Sequence, residues 1–262
     1  MLESNNELNE AILKLLEDYC DFYNQEPICF KLSIVNDLAE EYKKVRPDLV
    51  SSNRININEI TNYNGFTIPP KDGGDFTILL SQKYFSEEIK NKSSNWIGTI
   101  AHEITHIYDF CKFKAISGYS YDEMLDYNRN ILFIYWTEFN AKVKGYLFLR
   151  KYVYKDIYDR SHVENIMQTE LPYLINCLTK DFSETDNANR QLYVVSHFLA
   201  HLYVWQYLFP IDFSDDVLEQ IFSDNIWMKE LYKFFSNNRE LEEAIKNTEQ
   251  FKEILRMNFQ GI

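Results

Sequence analysis

The spacing of apolar residues predicts regular structure from the first helix onward. Residues 8–23 place their apolar side chains on one stripe with a period of three to four residues, as in an amphipathic helix. Residues 28–35 alternate between apolar and polar positions, and a period of two is typical of a strand. Helical spacing returns over residues 36–45, where Asn36 is the expected N-terminal cap.

Two further segments predict strands before the helical part of the chain begins. Residues 60–68 alternate around Asn64 and Gly65, a pair that favours a type I′ turn, so we expect a β-hairpin there. Residues 74–82 predict another strand.

The rest of the chain is predicted to be mainly helical. A helix is expected to begin at Ser94 or Asn95, since both are good N-terminal caps. Helical spacing resumes at about Asp122 and continues towards the end of the chain. Three breaks interrupt it, near residues 159–162, 182–188 and 210–214. Strands early and helices late in the chain predict an α+β fold.

Composition and charge narrow the possible partners. At 262 residues and 45% hydrophobic content, the chain can bury a full core. The net charge of −13 argues against binding to nucleic acid or to anionic membranes, because both attract basic surfaces. The acidic, polar start lacks the features of a signal peptide, and no apolar run reaches the roughly 18 residues of a membrane span. The four cysteines have no close spacing, so we expect them to be reduced and buried in a cytoplasmic protein.

The segment IGTIAHEITHIYDF, residues 97–110, carries the most specific chemical signal. On a helix, His102 and His106 lie one turn apart on one face, where two imidazoles can bind one zinc ion. Glu103 lies about 100° round the helix axis, where it can contact a metal-bound water as a general base. The opposite face is apolar and would anchor the helix in a core. The alternative is a surface helix with an incidental histidine pair.

A catalytic zinc ion needs a third protein ligand and an open fourth position. Asp109 is the nearest acid, but three ligands on one straight helix cannot easily surround a tetrahedral ion. We therefore expect Asp109 to orient His106 or a neighbouring group. The alternative is a solvated acid near the end of the helix.

Glu138 is the preferred third ligand. It lies in a stripe of otherwise apolar residues, and a carboxylate there is costly unless it is paired or binds a metal. Ala141 and Gly145, on the same stripe, are small enough to let another helix approach closely. One alternative is a buried Glu138 paired with a lysine or arginine. Other acids are also alternative ligands: Asp122, Glu123 and Asp126.

If a metal-bound water at this site attacks a carbonyl group, a histidine or tyrosine from a distant helix or loop can donate to the oxyanion that forms. His197 and His201 lie one turn apart in VVSHFLAHLYVW, and either is a candidate. Tyr135, one turn before Glu138, is a third candidate. The alternative for the two histidines is a hydrogen-bonded pair in a core helix. A second metal site is disfavoured because no nearby acid completes it.

The motif His102-Glu103-x-x-His106, followed 32 residues later by Glu138-x-x-Ala141, resembles that of the gluzincin branch of the zinc metallopeptidases. The resemblance implies that the two histidines and Glu138 bind zinc and that Glu103 activates the water. The second helix is similar to that of small metallopeptidases from phages and mobile elements.

The same resemblance, which covers roughly residues 74–150, implies an architecture. We expect a zincin-like catalytic core over residues 1–158, with a small mixed sheet and an active-site helix. A mainly helical region, residues 159–262, would pack on this core. The strand at 74–82 would be an edge strand that pairs with an extended substrate backbone.

Two functions are consistent with these features. The first is zinc-dependent hydrolysis of peptide bonds, with a peptide or protein as the substrate. The second is a non-catalytic regulatory or interaction protein that carries structural zinc on the same scaffold. Glu103 favours the enzyme, because a structural site needs no general base and usually has four protein ligands. An exported effector with the same chemistry is disfavoured by the missing signal peptide.

Overall fold

The structure is a computed structural model that describes residues 5–52, 57–61, 63–71, 73–155, 160–184, 187–223 and 225–259. Three strands lie in the first third of the chain: β1 (Phe30–Val35), β2 (Gly65–Ile68) and β3 (Phe76–Ser81). The helices up to the middle of the chain are α1 (Asn5–Tyr23), α2 (Leu38–Val45), α3 (Pro47–Ser51), α4 (Ile57–Ile60), α5 (Gln82–Lys90), α6 (Asn95–Ser117), α7 (Tyr121–Met124) and α8 (Tyr127–Phe148). The later helices are α9 (Arg160–Asn165), α10 (Leu171–Glu184), α11 (Ala188–Leu208), α12 (Asp215–Ile221), α13 (Ile226–Asn237), α14 (Leu241–Lys246) and α15 (Thr248–Arg256). π-helical turns follow α8 and α9, at Leu149–Val153 and Ile166–Glu170.

The three strands form one mixed sheet in the order β1-β3-β2. β1 runs parallel to β3, and β2 runs antiparallel to it. β3 has the continuous apolar character of a strand covered on both faces, and Ile78, Leu79 and Leu80 are fully buried. The α+β fold and the strands predicted at 28–35 and 74–82 are therefore confirmed.

The hairpin predicted within residues 60–68 is wrong. Ile60 ends the short helix α4 and is buried against α2 and β3, so among the described residues no strand lies directly before the Asn64-Gly65 pair. β2 begins at Gly65 and pairs with the following strand instead. The glycines with positive φ that a tight turn needs are Gly73 and Gly74, in the connection between β2 and β3.

The edge-strand position expected for residues 74–82 is also wrong. β3 is the central strand, because β1 and β2 pair with its two sides. The edge strand beside α6 is β2, where the hydroxyl group of Thr67 contacts the backbone carbonyl oxygen of Glu103 at 2.9 Å.

Two details of helix boundaries differ from the sequence prediction. The cap of α2 is Asp37 rather than Asn36, since its carboxylate accepts from the backbone N–H of Glu40 at 3.0 Å. α10 continues to Glu184, so the break expected at 182–188 begins later than predicted. Residues 185 and 186 within it lie outside the described residues. The break at 210–214 is confirmed between α11 and α12, and α9 begins within the one expected at 159–162.

All four cysteines are free, as expected, but they are not all buried. Cys20 is buried, whereas Cys29 is exposed next to the start of β1.

In the described part of the chain, no helix is both long and apolar enough to cross a membrane.

The core forms where α8 packs against α6 on one side and α11 on the other. α6 contributes the apolar face expected from the sequence, with Ile100, Ile104 and Ile107 fully buried. Buried residues before and after position 158, such as Val143 and Leu199, belong to the same apolar cluster. The division at residue 158 stays a prediction, but the later helices share the core of the earlier ones.

α6 and α8 cross at unusually short range, at the small residues that the sequence singled out. A Cβ atom added to Gly145 would lie 2.5 Å from the carbonyl oxygen of Gly98 and 3.2 Å from Cβ of His102. Ala141, one turn before Gly145, is fully buried. Because Gly145 has no side chain, α6, which carries the two histidines, can lie this close to α8, which carries Glu138.

We expect Gly145→Ala to lower the free energy of unfolding by about 1–3 kcal/mol. The added methyl group would collide with the backbone carbonyl oxygen of Gly98, which can move only if the whole helix α6 shifts. Gly98→Ala is the matched control, since its Cβ atom would meet its neighbours at 3.4 Å or more, which is ordinary contact. Alanine also favours a helix over glycine, so this variant should match or exceed the wild type in stability. Urea unfolding of both variants tests this, and equal stabilities would contradict it.

Candidate metal centre

Three side chains from two helices converge on one point. His102 and His106 lie on α6 and Glu138 lies on α8, with one ligand atom of each within 4.8 Å of the others. Nε2 of His102 is 3.0 Å from Nε2 of His106 and 3.7 Å from Oε2 of Glu138. Nε2 of His106 is 3.8 Å from Oε1 of Glu138. Among the described residues, these three form the one cluster of histidine, cysteine or acidic side chains close enough together to hold a metal ion.

These separations suit a small divalent cation. Ligands at 2.0–2.1 Å from a tetrahedral zinc ion lie about 3.3 Å from one another. The observed separations of 3.0, 3.7 and 3.8 Å lie on both sides of this value. The three side chains therefore need only small movements to coordinate one ion.

The charge states of the site also favour metal binding. Burial lowers the pKa of His102 and His106, so both imidazoles are neutral at pH 7 and have a lone pair to donate. Burial raises the pKa of Glu138, and a positive charge on His106 or on Lys142 would act in the opposite direction. A carboxylate and two neutral imidazoles facing one another lack a positive charge at their centre, which a cation would supply.

A relay of hydrogen bonds orients His106. The hydroxyl group of Thr137 donates to Oδ2 of Asp109 at 2.8 Å and lies 3.0 Å from Nδ1 of His106. Because the hydroxyl proton is used on Asp109, Nδ1 of His106 must be the donor of the other bond. Nε2 is then unprotonated and directed at the cluster, as a metal ligand requires. Asp109 thus acts on His106 through Thr137 rather than directly.

The relay continues into the later part of the chain. The side-chain amide of Asn140 donates to both oxygens of Asp109 at 3.0 Å. Its carbonyl oxygen accepts from Arg239 at 2.9 Å, in the connection between α13 and α14. The guanidinium group packs between the rings of Phe139 and Tyr203. One ligand of the cluster is therefore supported from outside the predicted core region.

Glu103 is buried beside the ligands and is held by β2. Oε2 accepts from the hydroxyl group of Thr67 at 2.8 Å. A Cβ atom on Gly65 would lie 3.0 Å from Oε1, so this glycine leaves room for the carboxylate. Burial raises the pKa of Glu103 to about 8, the charge of Glu138 adds to the rise, and the bond from Thr67 opposes it. A cation held at the cluster would favour the ionised form.

The alternative acids do not approach the histidines. Asp122 accepts from the buried guanidinium of Arg46 at 2.5 Å. Glu123 accepts from Ser120 in the capping box of α7. The carboxylate of Asp126 accepts from a backbone N–H at the start of α8. Each of these acids has a structural partner elsewhere, which leaves Glu138 as the acid at the cluster.

The proposed oxyanion donors lie at different distances from the cluster. Nε2 of His197 is 3.0 Å from Oε2 of Glu138, so its present partner is a predicted ligand. The ring of His201 packs against Tyr146 and Trp205, and its buried Nδ1 has no partner among the described residues.

Tyr135 is buried, and its hydroxyl group donates to Oδ1 of Asn189 at 2.9 Å rather than to a group of the cluster. The structure thus brings His197 to the cluster, and neither His201 nor Tyr135.

Tyr193 is a candidate donor that the sequence did not indicate. Its ring packs on His197 with 4.3 Å between the centroids. Burial raises the pKa of its hydroxyl well above the usual range, and the charges of Glu138 and Glu103 add to the rise. It is therefore a neutral phenol close to both carboxylates. Since the chain has 19 tyrosines, no spacing argument distinguished this one.

No known protein family, curated protein or solved structure gives a significant match to this chain. The functional interpretation therefore depends on the geometry of the side chains.

We expect Thr137→Val to weaken zinc binding about 10- to 100-fold, because the isosteric side chain cannot connect His106 to Asp109. The matched control is Thr179→Val, since the exposed hydroxyl of Thr179 donates to the carbonyl oxygen of Ile175 in its own helix. Titration against a chelator of known affinity measures the zinc dissociation constant. Equal affinities for Thr137→Val and the wild type would show that the relay does not support the site.

Proposed function

We propose that the protein is a zinc-dependent peptidase. The observation that carries this proposal is the convergence of His102, His106 and Glu138 on one point beside the buried carboxylate of Glu103. Two imidazoles and one carboxylate are the donor set of several catalytic zinc sites, in which the fourth position stays open for water. The arrangement of two histidines and a glutamate on two crossing helices also supports a gluzincin-type site on a zincin-like scaffold.

When bound, a zinc ion supplies a Lewis acid and lowers the pKa of the water that it coordinates. The chain's own residues then have separable tasks. His106 is fixed in the ligating tautomer by Thr137, and Glu138 is fixed by His197. Glu103 accepts a proton from the attacking water at Oε1, because Oε2 is engaged with Thr67. The same carboxyl group can then pass that proton to the leaving amine.

Tyr193 is the proposed donor to the oxyanion. A neutral phenol beside the ligands can stabilise negative charge that develops on a carbonyl oxygen. His197 is less suited to this task, because its Nε2 atom is already bonded to Glu138. For these reasons we assign the role of oxyanion donor to Tyr193 rather than to His197, which the sequence had suggested.

A peptide is the substrate class that the sheet supports. β2 is an edge strand, and β3 pairs with only one of its sides among the described strands. Thr67 of this strand contacts Glu103, so the edge lies beside the proposed base. An extended peptide can add to such an edge through backbone hydrogen bonds, which would bring its carbonyl groups to the cluster.

A structural metal site is the second candidate function, and one observation favours it. His197 lies 3.0 Å from Glu138, so a small rotation would make it a fourth ligand and close the site. Glu103 favours the peptidase, since a closed site has no use for a buried carboxylate beside it. The variant that follows distinguishes the two functions.

We expect Glu103→Gln to keep the zinc content of the wild type and to lose at least about 100-fold of the hydrolytic rate, because an amide cannot accept the proton. Glu87→Gln, an exposed change on α5, is the control. Cleavage of a mixed library of synthetic peptides, read by mass spectrometry, measures the rate, and elemental analysis measures the zinc. Loss of zinc from Glu103→Gln would instead make Glu103 a structural support of the site.

A further inference from the structure

The free edge of β2 offers backbone groups at few positions. The carbonyl oxygen of Asn64 accepts from the backbone N–H of Ser81 in β3 at 2.9 Å. In an antiparallel pair, residues that bond to the partner strand alternate with residues whose backbone groups point the other way. Asn64 and Phe66 therefore bond towards β3. Gly65 and Thr67, which alternate with them, direct their N–H and C=O groups to the free edge.

The next outward position on either side of these two residues cannot continue the pairing. The backbone N–H of Tyr63 already donates to the carbonyl oxygen of Ile60 at 3.1 Å. Pro69 has no N–H, and its carbonyl oxygen accepts from the guanidinium group of Arg46 at 3.0 Å. An added strand can therefore bond fully only to the two outward positions between them, so β2 can hold a short stretch of extended peptide.

The same two residues of β2 contact the proposed base. The hydroxyl group of Thr67 donates to Oε2 of Glu103 at 2.8 Å. A Cβ atom on Gly65 would lie 3.0 Å from Oε1 of the same carboxylate. The bond that Glu103 helps to cleave therefore lies level with the stretch of β2 that can pair with a peptide.

An aromatic contact crosses the free edge just before β2 begins. Phe66 packs against the apolar cluster around α2, on the face of the sheet opposite α6. The ring of Tyr63 stacks on Phe66 with 5.8 Å between the centroids and also packs against Tyr193 at 5.7 Å. Tyr193 belongs to α11 and packs on His197 beside the cluster of ligands. Because β3 occupies the other side of β2, the contact between the two tyrosines lies across the free edge.

We propose that the contact between Tyr63 and Tyr193 closes one end of the substrate cleft, so that the protein cleaves peptides within about three residues of a chain end. This inference rests on the proposed function. Tyr63 lies three positions before Phe66, the centre of the stretch that can pair. An extended chain covers this separation in about 10 Å. A peptide that continued further along β2 would collide with the two rings.

The closure is anchored on both sides of the cleft. Tyr63 packs on the apolar cluster that contains Tyr42 and Leu49, and its backbone is bonded to α4. Tyr193 is partly buried on α11, where the adjacent Leu192 is fully buried in the main core. Separating the two rings would expose aromatic surface to water. A long peptide would have to break these contacts to pass, whereas a chain end fits without breaking them.

The direction of the bound peptide decides which chain end is involved. A peptide antiparallel to β2 has its C-terminal end at Tyr63, and a parallel peptide has its N-terminal end there. In both cases the limit acts on one side of the cleaved bond, because the aromatic contact lies at one end of β2.

The position of the first cut in long peptides tests the proposal on the zinc-loaded protein. Two libraries share the same mixed sequences: one is linear, and the other is closed head to tail into rings large enough to lie extended across the site. Mass spectrometry of the earliest products locates the first cut. Tyr63→Ala removes the ring, and Tyr63→Phe keeps it. Tyr173→Ala, the loss of an exposed tyrosine on α10, is the matched control.

We expect the wild type to make its first cuts within about three residues of one end of the linear peptides. It should cleave the cyclic peptides at least about 100-fold more slowly, because they have no end to place at the closed side. The end at which the cuts cluster shows the direction of pairing. Tyr63→Ala should cut internal bonds and raise the ratio of cyclic to linear cleavage about 10-fold. Tyr63→Phe and Tyr173→Ala should keep the wild-type pattern.

Frequent first cuts at internal bonds by the wild type, or equal rates on linear and cyclic peptides, would overturn the closed end and leave the peptidase function standing. This comparison needs no variant, so it holds even if Tyr63→Ala does not fold. An active Tyr63→Ala with the wild-type pattern would also overturn the closure. If the zinc-loaded wild type cleaves neither library, the proposed function fails together with this inference.

Discussion

α6 and α8 cross with the backbone of Gly145 against the carbonyl oxygen of Gly98, leaving no space for a methyl group between them. This close approach lets Glu138 of α8 reach the two histidines of α6, since a carboxylate on a helix held further away would miss them. The apolar faces of both helices are buried in one core, and this packing fixes the position of the crossing. The arrangement of the candidate metal centre is thus a consequence of helix packing.

Burying so many ionisable groups in one place opposes folding unless each has a partner. A continuous polar chain from His106 through Thr137, Asp109 and Asn140 to Arg239 supplies partners on one side of the cluster. Among the described residues, Nη1 of Arg239 and Nδ1 of His201 are buried without a partner. Thr67 plays a similar part for Glu103 from the sheet. Parts of the chain far apart in sequence therefore support one cluster of side chains, so changes as late in the chain as Arg239 can alter the geometry of the candidate metal centre.

The parts of this structure with strong periodicity could be predicted from the sequence. α6, β1 and β3 follow their apolar patterns, and the stripe through Ala141 and Gly145 indicated which face of α8 would meet α6. The sheet order could not be predicted, because no local pattern states which strands pair. The Asn64-Gly65 pair predicted a turn that does not form, because the role of Gly65 depends on a tertiary contact: it leaves space for the carboxylate of Glu103. Thr137 and Tyr193 were missed because their roles arise from tertiary contacts.

The central claim is that His102, His106 and Glu138 bind one zinc ion and leave one position open. X-ray absorption at the zinc edge of the zinc-loaded protein tests it most directly, because the spectrum separates imidazole from oxygen ligands. The account predicts two imidazole nitrogens at about 2.0–2.1 Å and oxygen ligands at about 2.0–2.2 Å, from the carboxylate and one water. The imidazole count should fall to one in His106→Ala and stay at two in His197→Ala. A third imidazole in the wild type that disappears in His197→Ala would contradict the open position and with it the catalytic site.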